Sequence, residues 1–111
     1  MNKIFLLFIA VLLLGMTHLS AAVYKGQKIF VRKCVSCHTT GQSFVSSKTT
    51  FEWEELMENK GKELIIIHLR DKNASDSWDY FKSKKYTKKA KHLKEFLMEY
   101  AQDSGIVPAC N

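Results

Sequence analysis

The chain has 111 residues, with 17 basic against 11 acidic side chains, a formal net charge of +6 and three cysteines. That length leaves room for one small domain whose protein core alone would be marginal. No internal repeat or low-complexity linker divides it, and Pro108 is the only proline.

Residues 1–22 read as a cleaved secretory signal. Lys3 supplies a positive start, Ile4 to Leu14 is an uninterrupted apolar run of eleven residues, and Ser20-Ala21-Ala22 offers small residues before a cut ahead of Val23. Eleven apolar residues are too few to anchor stably across a bilayer. Met16, Thr17 and Leu19 extend the segment, so an uncleaved N-terminal anchor is the alternative. The expected mature domain is 23–111, 89 residues in a periplasmic-type compartment.

Tyr24 to Cys37 has helical character, with Gly26, Ile29, Phe30, Lys33 and Cys34 at three- and four-residue steps. It leads into Cys34-Val35-Ser36-Cys37-His38. Two thiols three positions apart lie on one side of a helical turn, and the next histidine can turn its imidazole to the same centre. This C-x-x-C-H spacing is the c-type haem attachment signature, with Cys34 and Cys37 as covalent attachment points and His38 as proximal iron ligand. Three other chemistries use such residues. A thioredoxin-like dithiol needs a βαβ context that the flanks do not provide. A zinc site lacks a second C-x-x-C or H-x-x-x-H pair. A Cys34–Cys37 disulfide would close only a very small loop. Export favours haem c over all three, and a mostly apolar cofactor would fill a core that the chain cannot fill alone.

Thr39 to Thr50, rich in Ser, Thr and Gly, reads as a surface loop beside the cofactor. Thr50 is the expected N-cap of a helix over 51–59, with Glu52, Glu54 and Glu55 in its first turns. Gly61 ends it. Leu64 to Leu69 is an apolar run that periodicity assigns equally to helix or strand. Asp71 to Ser77 is a turn, Trp78, Tyr80 and Phe81 open a short aromatic helix, and 87–103 is an amphipathic helix stopped at Ser104-Gly105. The expected fold class is all-α.

Gly26 and Phe30 before Cys34, and Leu93, Phe96 and Leu97 in the last helix, resemble the paired terminal-helix motifs of class I cytochromes c. The resemblance implies a cytochrome c-like helical domain whose N- and C-terminal helices cross at the glycine around a covalent haem. It covers the two ends of 23–111 and leaves 39–86 unmatched. Here no methionine lies between Met57 and Met98, so the family's usual sixth ligand is missing from its usual loop. The family's proline shortly after the proximal histidine is absent too, since Thr39, Thr40 and Gly41 follow His38.

The sixth position therefore has several candidates. On a helical wheel Leu93, Phe96, Leu97 and Tyr100 share one side of the last helix, which puts Met98 outward or in secondary contact and His92 on the flank. Met57 shares a face with Trp53 and Leu56, where a methionine commonly fills core. His68 sits in the most apolar stretch of 23–111, where an imidazole needs a partner: a backbone carbonyl, or the iron. His68 is the first-choice distal ligand and Met57 the alternative, with an open sixth site as a third state. Cys110 has no intramolecular thiol partner once Cys34 and Cys37 carry haem, leaving it free, paired between chains or, least expected, on the iron.

Without Lys3, sixteen basic residues face eleven acidic ones, a charge of +5. Lysines 82, 84, 85, 88, 89, 91 and 94 form a run without an acid. An exported chain meets little nucleic acid, and the run contains no arginine, so nucleic acid is not the expected partner. The run is either a solvated helix face or a docking surface for redox proteins with acidic faces, or for an anionic membrane. No nucleophile, acid/base pair or second metal site argues for an enzyme. The expected role is an exported monohaem c-type single-electron carrier; the alternative is a gas-binding or sensing haem c protein with an open or weakly ligated sixth site.

Overall fold

A computed structural model describes residues 2–106, residues 8–20 by their backbone alone. The described chain is helical, without strands: α1 (Lys3–Lys33), α2 (Gln42–Val45), α3 (Thr50–Arg70), a 3-10 turn (Lys72–Ser77), α4 (Trp78–Lys82) and α5 (Lys84–Glu99). The run Leu64 to Leu69, which periodicity left open, is helical. Among the described residues no helix is long and apolar enough to cross a membrane. The tail carrying Cys110 lies outside the described residues, so the readings of that thiol have no structural counterpart.

α1 packs on α5, and α5 on α3. The closest approach is at Gly26, where an added Cβ would overlap the backbone carbonyl of His92 and stand 2.7 Å from Cβ of Phe96. One turn on, Phe30 and Phe96 meet with ring centres 5.3 Å apart. The core is assembled from Phe30, Val45, Trp53, Met57, Phe81, Tyr86, Ala90, Leu93, Phe96, Leu97 and Ala101. All of it lies within 23–111, whereas Ile4, Phe5, Leu6 and Leu7 are exposed.

Four boundaries differ from the sequence reading. α3 is capped by Thr49, not Thr50: Thr49 accepts from Glu52 N–H while Glu52 reaches back to the Thr49 N–H at 2.8 Å. This reciprocal box needs a carboxylate three residues on, and Thr50 has Trp53 there. α3 also resumes beyond Gly61, after Asn59, Lys60 and Gly61 take left-handed backbone angles. The stretch 39–50 is not all surface, since α2 buries Val45 completely. Finally, α5 starts at Lys84 under a Ser83 cap and ends at Glu99, earlier at both ends than 87–103.

Candidate functional site

The C-x-x-C-H segment begins where α1 ends. Cys34 is the C-cap of α1, and the chain turns on itself with N–H groups of Cys37 and His38 both bonding to the Cys34 carbonyl, at 3.2 and 2.8 Å. That turn sets both thiols and the imidazole on the border of one cavity of about 380 Å³. Cys34 and Cys37 are free thiols, Cys34 half-buried and Cys37 exposed. Burial, with a smaller contribution from Cys37, pushes the Cys34 thiol up to about 12. A thiol held protonated is the opposite of the acidic thiol of a disulfide-exchange site.

His68 lines the same cavity. Three contacts hold it there. Its Nδ1 lies 2.7 Å from the Leu64 carbonyl oxygen. Because a carbonyl only accepts, Nδ1 carries a proton, and in the neutral ring that tautomer leaves the lone pair on Nε2. Trp78 Nε1–H donates to the His68 carbonyl at 2.7 Å, fixing the backbone at the C-terminal end of α3. Phe81 stacks on the imidazole at 4.2 Å and 29°. His38 is held in a matching way, stacked on Phe44 at 3.8 Å and 17°. Phe44 in turn meets Trp53 edge-on, and Trp53 Nε1–H donates 2.9 Å to the Val45 carbonyl, tying α2 to α3.

The two imidazoles stand edge-on to one another, with ring centres 6.2 Å apart and planes at 80°. Burial, then the neighbouring His68, lowers the His38 pKa and favours its neutral form. Neutral imidazole is the form that binds metal.

These residues fit a covalent haem on four counts. With metal–nitrogen bonds of about 2.0 Å on both sides, two imidazoles sharing one iron stand about 6 Å apart between ring centres. The His68 tautomer leaves Nε2 as the available donor, with a carbonyl behind it as a ligating histidine commonly has. The thiols share the cavity with the imidazoles, and its wall is largely apolar, including Phe30, Leu56, Leu64, Phe81, Leu93 and Leu97. Lys33, Lys48, Asn73 and Ser77 add donors suited to a cofactor's carboxylates, alongside one acid, Asp71. A zinc site fits less well: among the described residues no three His, Cys, Asp or Glu side chains are grouped to hold one ion.

Met57 does not line this cavity. It is buried in the core, its methyl near Gly61, where it fills space between α3 and α5. His92 borders a different cavity, between α1 and α5. Met98 is half-buried against the core. The sequence reading missed Phe44, Phe81 and Trp78. Their only signal was aromatic side chains in short elements next to the two histidines' segments. No protein family, curated protein or solved structure matches the chain.

Proposed function

We propose that this chain is an exported monohaem c-type cytochrome with a class I-like arrangement of terminal helices, and that it carries single electrons between redox proteins. The observation that carries the reading is the pairing of His38 and His68 at 6.2 Å across a cavity that Cys34 and Cys37 also line. Cys34 and Cys37 would hold haem c, with His38 as proximal and His68 as distal ligand. Bound there, haem c supplies reversible one-electron chemistry, and bis-imidazole ligation sets a lower potential than His/Met ligation.

The chain's own residues do the rest. The turn at Cys34 presents two thiols and an imidazole from five consecutive residues. Leu64 and Trp78 fix the tautomer and height of His68, and Phe44 and Phe81 clamp the two imidazoles by their faces. These four ring or backbone constraints on two ligands limit movement between oxidation states, which suits electron transfer better than ligand exchange. Export is supported by the apolar run from Ile4 to Leu14 and the small residues before Val23; the buried core residues described all lie in 23–111, so cleavage after Ala22 would keep every one of them.

Intact mass and a pyridine haemochrome assay on the protein from an exporting host test the reading. One haem on a chain starting at Val23 is the expected result; a haem-free thiol protein from a host competent in haem attachment would overturn it. The ferrous protein should be low-spin and indifferent to carbon monoxide. Ready binding of the gas would move the assignment to a gas-binding or sensing role with a weak sixth ligand.

A further inference from the structure

The lysine run does not form one face. Lys88, Lys91 and Lys94 border a cavity with Met57 and Thr87, on the α3 side of α5. Lys85 and Lys89 instead turn to α1 and border a separate groove of about 340 Å³. From the α1 wall the same groove receives Lys25, Lys28, Arg32 and Lys33. Six cationic residues from two crossing helices therefore line one concavity that no Asp or Glu lines, the Lys28 ammonium resting over Tyr24 at its edge.

We infer that this groove between α1 and α5 is a binding site for a compact, multiply charged oxyanion of the phosphate class. Six like charges around a small volume repel one another, and a monovalent anion would neutralise too little of that field. A broad, flat acidic surface could not enter a concavity of this size; a pyrophosphate-sized group can. Arg32 brings a planar fork for two oxygens, and the lysines bring point charges on flexible stems. The floor is neutral and offers further donors: Tyr80, whose phenol burial holds protonated, and His92. His92 is shifted towards its neutral form by desolvation first and then by Lys25, Lys91 and Lys89, of which Lys25 and Lys89 line the groove, against a single opposing carboxylate, Glu95. Lys33 is already placed, its Nζ 5.4 Å over the Tyr80 ring.

The site does not depend on the haem assignment. Lys33 also borders the Cys34 cavity, so the two sites share a wall and an anion in the groove would sit beside the thiol-bearing turn.

Calorimetric titration of the isolated protein with inorganic pyrophosphate tests the inference. The expected result is saturable one-to-one binding, weakened about tenfold or more in the triple variant Lys28→Gln/Arg32→Gln/Lys89→Gln, since losing about 1.4 kcal/mol of attraction is tenfold in affinity. The control Lys62→Gln/Lys72→Gln/Lys94→Gln removes the same net charge outside the groove and should leave binding within about twofold. Equal weakening by both triples, or no saturable binding to any phosphate probe, would overturn the site. Helical circular dichroism checks that both triples fold; should the groove triple fail, the α1 pair Lys28→Gln/Arg32→Gln replaces it. A second arm uses vesicles of phosphatidylglycerol against phosphatidylcholine. Groove-dependent retention on phosphatidylglycerol alone, without pyrophosphate binding, assigns the oxyanion to a lipid headgroup. Binding of pyrophosphate without vesicle retention assigns it to a free anion.

Discussion

The phenol of Tyr86 donates a 2.9 Å hydrogen bond to the carbonyl of Gly61, across the left-handed turn that divides α3. Three consecutive residues, Asn59, Lys60 and Gly61, hold positive φ there. Side chains other than glycine resist that conformation, so the turn persists only because its surroundings over-determine it. Tyr86 is fully buried, and an added Cβ on Gly61 would overlap its hydroxyl. The turn aims the second half of α3, and with it His68, at the cavity.

Tyr86→Phe should therefore destabilise the fold by about 1–3 kcal/mol, because a buried carbonyl loses its donor while the ring packing survives. Gly61→Ala should cost more, combining a strained φ of 71° with the overlap on the phenol. Urea unfolding of the two variants checks both. Equal stability of Gly61→Ala and the parent chain would mean that the turn is not held as described.

Gly26→Ala tests the crossing of α1 and α5. The new methyl would meet the His92 carbonyl, a backbone atom that no side-chain rotation can move. Separation of the helices should cost about 1–3 kcal/mol, outweighing the helix propensity that alanine adds. A lower midpoint in urea is the expected reading, and a rise would show that the helices have slack at this point.

The terminal-helix contact, the cysteine turn and the break at Gly61 were legible because each depends on residues close in sequence or on a missing side chain. The cap was misplaced by one residue: the reading took Thr50 from residue type, whereas the reciprocal box with Glu52 selects Thr49. The clamps on the histidines were not legible. Phe44 against His38 and Phe81 against His68 are packing relations between separate elements, and periodicity carries no information about which ring meets which. α2 was hidden for a different reason: four residues are too few to show a helical period. His68 was legible as a polar ring in an apolar run, but its hydrogen bond to Leu64 answers only one of its two nitrogens.

Asp103 closes the N-terminal end of α3 from the far end of the chain. Its carboxylate accepts from the Thr50 N–H at 2.8 Å and from the Thr50 hydroxyl at 3.0 Å. These bonds, the backbone one foremost, hold its pKa below the ordinary value of 3.8. A depressed carboxylate stabilises the fold above the ordinary value, and that contribution is lost as pH falls through the lowered one. Asp103→Asn should lower Tm near neutral pH and narrow the gap to the parent chain in acid. A constant gap across the acid range would assign the loss to packing instead of charge.

His68 and Met57 separate ligation from stability. In the proposed haem-loaded protein, His68→Ala should convert the ferric haem from low to high spin and open it to added ligands, since the Leu64 bond leaves Nε2 as the donor and, among the described residues, no other imidazole borders the cavity with His38. Met57→Ala should leave the spectrum intact and instead cost about 2–5 kcal/mol in urea unfolding, because Met57 is 3 % exposed within the core. Trp78→Phe provides the intermediate case: it keeps an aromatic ring but removes the donor to the His68 carbonyl. The imidazole would remain in place with its backbone less constrained, so the ferric spectrum should stay low-spin while the rate of displacement by cyanide or imidazole rises. A methionine-to-iron charge-transfer band in the parent protein, or loss of low-spin character only in Met57→Ala, would transfer the ligand role to Met57. His38→Ala should be the most damaging of the set, leaving haem poorly attached or without its proximal ligand.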